Sequence, residues 1–187
     1  GDIMNQTVFY TGKGDRGDTA RLGGEGRLPK SDALLDTIGA MDEATCAIGV
    51  ARAQAQLPAL QAVLPEAQRR LYRLMSHLSA TPALRATYSG VTEADVAWLE
   101  GQIAQLETDL PPLREFVVPG DSLAGAALHM ARATVRRAER RLVEFTELEP
   151  GIGAPNLAFV NRLSSLLFVA ALREDQLAGQ TLTLARS

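Results

Sequence analysis

The chain has 187 residues, a length that fits one domain with a sizeable core. Hydrophobic residues make up 46%, charged residues 22% and aromatics only 5%, with Ala and Leu abundant, so a helical bundle is favoured over a β-sandwich. With a net charge of −3 and no apolar run approaching the roughly 18 residues of a membrane span, neither nucleic acid nor membrane is an expected partner.

Thr7 to Arg27 (TVFYTGKGDRGDTARLGGEGR) is rich in glycine and predicts a loop, not a helix or a long strand. Two readings stand at this point. It is a flexible N-terminal arm, or its glycines, Lys13 and hydroxyls form a phosphate cradle. It is neither a Walker A loop nor a dinucleotide fingerprint, because the flanking strand and helix signals are missing.

Ser31 or Asp32 caps a first helix running to about Gln56. Its core stripe is Leu34, Ile38, Met41, Thr45 and Ile48. A neighbouring stripe, Leu35, Gly39, Asp42, Cys46, Gly49 and Ala53, is small enough for another helix to approach closely. Asp42 in that stripe either pairs with a cation, for which Arg132 is the candidate, or points to solvent. Cys46 is the only cysteine, so an internal disulfide is excluded and a reducing, cytoplasmic setting is expected. A second helix is expected to begin near Pro65 and to end at Thr81-Pro82, and Ala83 to Gly90 is a connector. Thr92 and Asp95 open a third helix that Pro111-Pro112 ends.

Phe116-Val117-Val118 is an apolar run stopped by Pro119-Gly120. Asp121 and Ser122 are both suitable caps for the next helix, which runs to about Leu148 with Ala124, Leu128, Ala131, Val135, Ala138 and Leu142 inward. Beside that stripe lies Gly125, His129, Arg132, Arg136 and Glu139. It is either a solvated face of Arg–Glu pairs or a binding face for carboxylate or phosphate. A last helix spans about Pro155 to Asp175 and carries Asn161, and the chain from Gly179 onward reads as a tail. The expectation is one domain: a loop over 7–30, an up-and-down five-helix bundle over 31–175 and a tail over 176–187. The two histidines, His77 and His129, offer no Ser–His–Asp triad, and no Glu-x-x-His pair or Cys/His cluster is present. A glycine-rich loop, an arginine-rich helix and Asn161 together suit a polyphosphate such as ATP.

Four motifs in order resemble those of PduO-type ATP:cob(I)alamin adenosyltransferases. They are YTGKGDRGDT from Tyr10, GAMDE from Gly39, FVVPG from Phe116 with LHMAR and RRAER to Arg140, and VNRLS from Val160. The resemblance implies an all-α bundle with an N-terminal glycine-rich nucleotide loop, acting as a homotrimer with sites between subunits. It implies transfer of the 5′-deoxyadenosyl group of ATP to cob(I)alamin, giving adenosylcobalamin and triphosphate. ATP would be held by Thr11, Gly12, Lys13, Gly14, Asp15, Gly17, Asp18, Thr19, Lys30, Arg136, Arg137, Glu139, Arg140 and Asn161, with Mg²⁺ bound through ATP and Glu139 the one candidate side chain for it. Asp42 would pair with Arg132, and Phe116 would cover the lower face of the corrin, so that a four-coordinate Co(II) forms and is easier to reduce. A corrinoid reductase and an adenosylcobalamin-dependent enzyme are the implied partners. The family's pattern is departed from at Leu34, Ile38, Thr45 and Leu78, and at Asp121, where a second glycine is usual. The alternative reading is a divergent, non-catalytic paralogue that binds ATP or corrinoid as a sensor or delivery partner.

Overall fold

The computed structural model describes residues 9–24 and 26–186. Thr7 and Val8, at the head of the glycine-rich segment, lie outside that range, as does Glu25 within it. Five α-helices carry the fold: α1 (Ala33–Gln54), α2 (Pro58–Ser79), α3 (Glu93–Glu107), α4 (Leu123–Leu148) and α5 (Ala154–Leu177). The glycine-rich segment contains a short antiparallel ribbon, β1 (Asp18–Ala20) and β2 (Arg27–Pro29), with Thr19 opposite Leu28.

The helix starts reflect local chemistry. The Asp32 carboxylate accepts from the Leu34 N–H at 2.9 Å, and Ser122 Oγ accepts from the Gly125 N–H at 2.9 Å. At α3 the Asp95 carboxylate accepts from both the N–H and the hydroxyl of Thr92. Helix α2 begins at Pro58, earlier than the expected start near Pro65. Proline suits the first helical turn, and Leu60, Val63 and Leu64 are buried, so their packing carries the helix past Pro65 despite its missing N–H.

Contacts along the helices fix their directions. Residues 55–57 cover at most about 10 Å, far less than the roughly 33 Å of a 22-residue helix, so α1 and α2 are antiparallel. The ion pairs Asp36–Arg141 and Glu43–Arg137 make α1 and α4 antiparallel. Ser122–Asp175 and Glu139–Asn161 do the same for α4 and α5. Val91–Asn156, Glu100–Arg162 and Asp109–Arg173 rise together, so α3 runs parallel to α5. Direction therefore alternates along the chain, as expected, but the spatial order is α2–α1–α4–α5–α3. Helix α3 packs chiefly on α5, because the connections over 80–92 and 108–122 are long enough to carry it there.

Met41, Ile48, Leu71, Leu74, Leu99, Leu128, Leu142, Phe159 and Leu163 are fully buried between these helices. By length and composition α5 is apolar enough to cross a membrane, yet most of its apolar stretch is packed inside the bundle. Its end also carries two buried carboxylates, Glu174 and Asp175. Glu174 Oε1 accepts from the N–H groups of Gln56 and Leu57 at 2.9 and 2.8 Å, which ties the α1–α2 turn to α5. The residues after Gly179 are not a free tail: Thr183 O accepts from Val118 N, and Ala185 N donates to Phe116 O, each at 2.8 Å.

Replacing Glu174 by Leu leaves two backbone donors without an acceptor at a tight turn. Stability should fall by about 2–3 kcal/mol. Urea unfolding with an unchanged m-value checks this.

Candidate active site

The glycine-rich segment is a folded platform, not a loose arm. Gly17 has φ of +79°, a conformation open to glycine and costly for a side chain, and its carbonyl accepts from the Lys30 N–H at 2.8 Å. That turn brings the Lys30 ammonium over Gly14, where a Cβ would meet Nζ at 3.1 Å. Arg27 pairs with Asp18 at 2.9 Å and donates to the Lys13 carbonyl at 2.6 Å, and this hydrogen-bonded guanidinium holds the Asp18 carboxyl below the usual range. Gly12, Lys13, Asp15, Arg16, Asp18 and Arg27 surround an open cavity of about 520 Å³. Thr11 is exposed beside it, its hydroxyl accepting weakly from the Lys13 N–H, and Thr19 lies in β1.

Helix α4 sends its polar residues to two flanks. Toward α1, Arg137 pairs with Glu43 and Arg141 with Asp36. Toward α5, Glu139 Oε1 accepts from Asn161 Nδ2 at 2.8 Å, and Asn161 Oδ1 accepts from Arg162 at 2.9 Å. Arg136 and Arg140 are exposed, with Arg140 donating to the Arg136 carbonyl.

Further up that second flank, a cleft of about 840 Å³ opens between the segment Leu113–Val117, α4 and α5. Phe116, His129, Arg132, Arg136, Phe168 and Arg186 are among its walls. Phe116 is 85% exposed, an unusual place for a phenylalanine. His129 is only 3% exposed, and neither ring nitrogen has a partner among the described residues; its ring meets Phe168 edge-on, with centroids 5.8 Å apart. Burial first, and then the charge of Arg132, push the imidazole below its ordinary range, so it is neutral at pH 7. Arg132 Nε is also buried without a hydrogen-bond partner among those residues. Two polar groups without hydrogen-bond partners among the described residues thus sit at the cleft wall, where a ligand could meet them.

The sequence profile described as cobalamin adenosyltransferase matches residues 9–174. The chain belongs to the cobalamin adenosyltransferase family. A corrinoid adenosyltransferase PduO of Citrobacter freundii is 35% identical over 176 residues, which are 92% of the chain but only 51% of that relative, so the chain spans about half its length. A corrinoid adenosyltransferase of Bacillus subtilis is 36% identical over 167 residues, covering 87% of the chain and 84% of the relative. Among solved structures, a variant PduO-type ATP:corrinoid adenosyltransferase from Lactobacillus reuteri, complexed with cobalamin and ATP, superposes with a TM-score of 0.88 at 31% identity, covering 96% of the chain and all of that structure.

Within this cobalamin adenosyltransferase fold, the expected residues fall into separate places of one chain. The loop residues and Lys30 form one group; Glu139 and Asn161 a second; Phe116, Arg132 and Arg136 a third, with the exposed Arg140 one turn on from Arg136. Among the described residues, no hydrogen bond or ion pair joins the loop group to the others. Arg137 is drawn to Glu43 on the other flank of α4. The expected pair of Asp42 with Arg132 does not form within the chain. Asp42 is exposed on α1, Arg137 and Arg141 are the α4 residues that face α1, and Arg132 looks toward α5. Sequence patterning singles out neither Arg27 nor Phe168 nor Arg186. Arg27 ends a segment that reads as loop, Phe168 sits on a core helix and Arg186 falls in what reads as a tail, so none carries a periodic signal.

Since His129 is held neutral in the folded chain, the unfolded chain takes up its proton first as pH falls. Stability should drop below about pH 6.5, by at most about 1.4 kcal/mol per pH unit from this group. His129→Gln should flatten that loss between about pH 6.5 and 5, measured by thermal unfolding across pH; a profile unchanged by the substitution would contradict a buried, neutral imidazole.

Proposed function

We propose that the chain transfers the 5′-deoxyadenosyl group of ATP to the cobalt of cob(I)alamin, releasing triphosphate. The observation that carries this is the cleft lined by an exposed Phe116, by the buried His129 and by Arg132, whose buried Nε has no hydrogen-bond partner among the described residues, in a chain of this family. The Lactobacillus reuteri neighbour is complexed with both cobalamin and ATP, which supports the same two substrates here.

On this reading the loop residues Thr11 to Thr19, Lys30, Arg136, Arg137, Arg140 and Asn161 bind and orient ATP. Cationic groups absorb charge that builds on the triphosphate as the C5′–O bond breaks and the Co–C bond forms, with the electron pair leaving on triphosphate. Among the described residues no group of three or more His, Cys, Asp or Glu sits together. A Mg²⁺ ion would take most of its ligands from phosphate and water, with Glu139, which accepts from Asn161, as the candidate protein carboxylate. Phe116 supplies an apolar wall against the corrin that leaves no ligand atom for the cobalt, which favours a four-coordinate Co(II) that a reductase can take to Co(I).

The working unit is a homotrimer with the site between copies. The small stripe of α1 supports this: Gly39, Cys46 and Ala53 are exposed, and a Cβ at Gly39 would meet open space, so the helix that this stripe could receive is not one of its own chain. Asp42 lies on that stripe, and across a subunit boundary it would give Arg132 the carboxylate it lacks. A reductase and an adenosylcobalamin-dependent enzyme are the expected partners. A reducing, cytoplasmic compartment suits both the free, exposed Cys46 and chemistry through cob(I)alamin.

The direct test mixes protein, cob(II)alamin, ATP·Mg²⁺ and a reductant without oxygen and monitors light-sensitive adenosylcobalamin. Enzyme-dependent product is expected. Saturable binding with no product would instead establish the non-catalytic paralogue. Arg136→Ala should weaken ATP binding about tenfold or more by removing one charge-assisted contact of about 1.5–3 kcal/mol, read by calorimetry. Phe116→Ala should leave ATP affinity intact and raise the five-coordinate fraction of Co(II) in the visible spectrum; an unaltered spectrum would refute the role of the ring.

A further inference from the structure

The position at which this sequence departs from the family's usual second glycine, Asp121, holds the C-terminal residues in place. Its Oδ1 accepts from the Thr183 hydroxyl at 2.7 Å and its Oδ2 from the Thr183 N–H at 2.8 Å. Those bonds, the Thr183 hydroxyl first, keep the Asp121 carboxyl below its ordinary range and hence ionised. Asp121 is not the helix cap; Ser122 takes that role, which frees the Asp121 carboxylate for the clamp. Thr183 then begins a stretch that pairs with the 116–118 segment: Val118 N donates to Thr183 O, Leu184 bridges to Val117, and Ala185 N donates to Phe116 O. Arg186, next along, reaches the wall of the Phe116 cleft. The same stretch covers a second, largely apolar cavity of about 490 Å³ beside Leu113 and Leu172.

Phe116 itself is 85% exposed, so side-chain packing does not fix its position. Its backbone is fixed instead, and among the described residues the backbone hydrogen bonds that do this outside helices and strands come from the 183–185 strap. The strap lies beyond residue 174, where the family profile stops, whereas Asp121 falls within it.

We propose that Asp121 is a positioning residue for the corrinoid side of the site. By gripping Thr183 it keeps the strap paired with Phe116–Val118, which sets the ring against the corrin and brings Arg186 to the cleft. The inference rests on the reading of that cleft as a corrinoid site.

The test compares Asp121→Ala, Asp121→Asn and Thr183→Val with the unaltered full chain. Hydrogen exchange without ligands reads the strap through the Val118, Thr183 and Ala185 amides. Spectroscopy of cob(II)alamin with ATP·Mg²⁺ reads the four-coordinate fraction, and steady-state kinetics separates the two substrates. Asp121→Ala should speed exchange at those amides at least tenfold, lower the four-coordinate fraction severalfold and raise KM for corrinoid at least fivefold, with KM for ATP within twofold. Thr183→Val, which keeps the N–H donor, should fall between. Asp121→Asn can still accept from the N–H and donate to the hydroxyl oxygen, and should stay within twofold of the unaltered chain. If Asp121→Ala leaves exchange unchanged, or shifts both KM values together, the positioning role is wrong. If the unaltered chain binds no corrinoid, the reading of the cleft fails and takes this inference with it; corrinoid binding that survives Asp121→Ala unaltered overturns the inference alone.

Discussion

Helix α4 must lie close to α1 on one flank and α5 on the other, and its stripe of Ala124, Ala131 and Ala138 permits both approaches. That constraint sorts the polar residues of the helix. With apolar and small positions committed to the core, Arg137 and Arg141 are left facing α1, where Glu43 and Asp36 meet them. His129, Arg132, Arg136 and Glu139 are left on the α5 flank, where, among the described residues, Glu139 hydrogen-bonds Asn161 while the His129 ring and the Arg132 guanidinium lie against the Phe168 ring without a side-chain hydrogen bond. Surface ion pairs of the first kind contribute little individually. The second flank is different, because a buried guanidinium nitrogen and a buried imidazole without partners cost free energy in the isolated chain. A fold retains such a cost where a ligand or a second copy relieves it.

The same logic gives α1 its meaning. A stripe of Gly39, Cys46 and Ala53 is shaped for close helix approach, yet these residues stay exposed, and Asp42 among them makes no ion pair with the described residues. One copy thus carries an acidic, small-residue face and, on another helix, a cleft short of a carboxylate. In the proposed homotrimer, two copies placed face to cleft would complete each other. Such a heterologous contact closes into a ring when its rotation permits. The nucleotide platform, tied by Lys30 to the start of α1, would travel with the acidic face toward the neighbour's cleft.

Much of this was legible in the sequence. The helical period and the caps at Asp32, Thr92 and Ser122 located the bundle, because these are local signals that burial reinforces. Pro65 misplaced the start of α2, since tertiary packing of Leu60, Val63 and Leu64 outweighs a local breaker. The neighbour order of the helices was not legible, because connections over 80–92 and 108–122 allow several arrangements. The arginine stripe stands out by its period, but two helical stripes that look complementary in sequence, those of Asp42 and Arg132, need not face one another within a chain. The strap was invisible for a similar reason: a strand pair between residues 60 or so positions apart leaves no period, and Asp121 looked only like a spare cap.

In the proposed homotrimer a site shared between copies would relieve the buried cost on α4, and subunit mixing tests that sharing most directly. Asp42→Ala and Arg132→Ala chains, each weak alone, are combined, exchanged by mild denaturation and refolding, and assayed for adenosylcobalamin formation. A shared site gives random assemblies about a quarter of their interfaces with both Asp42 and Arg132 intact, so activity should recover toward about 25% of the unaltered protein. Activity no greater than the mean of the two variants alone would place the whole site within one chain and contradict a shared site.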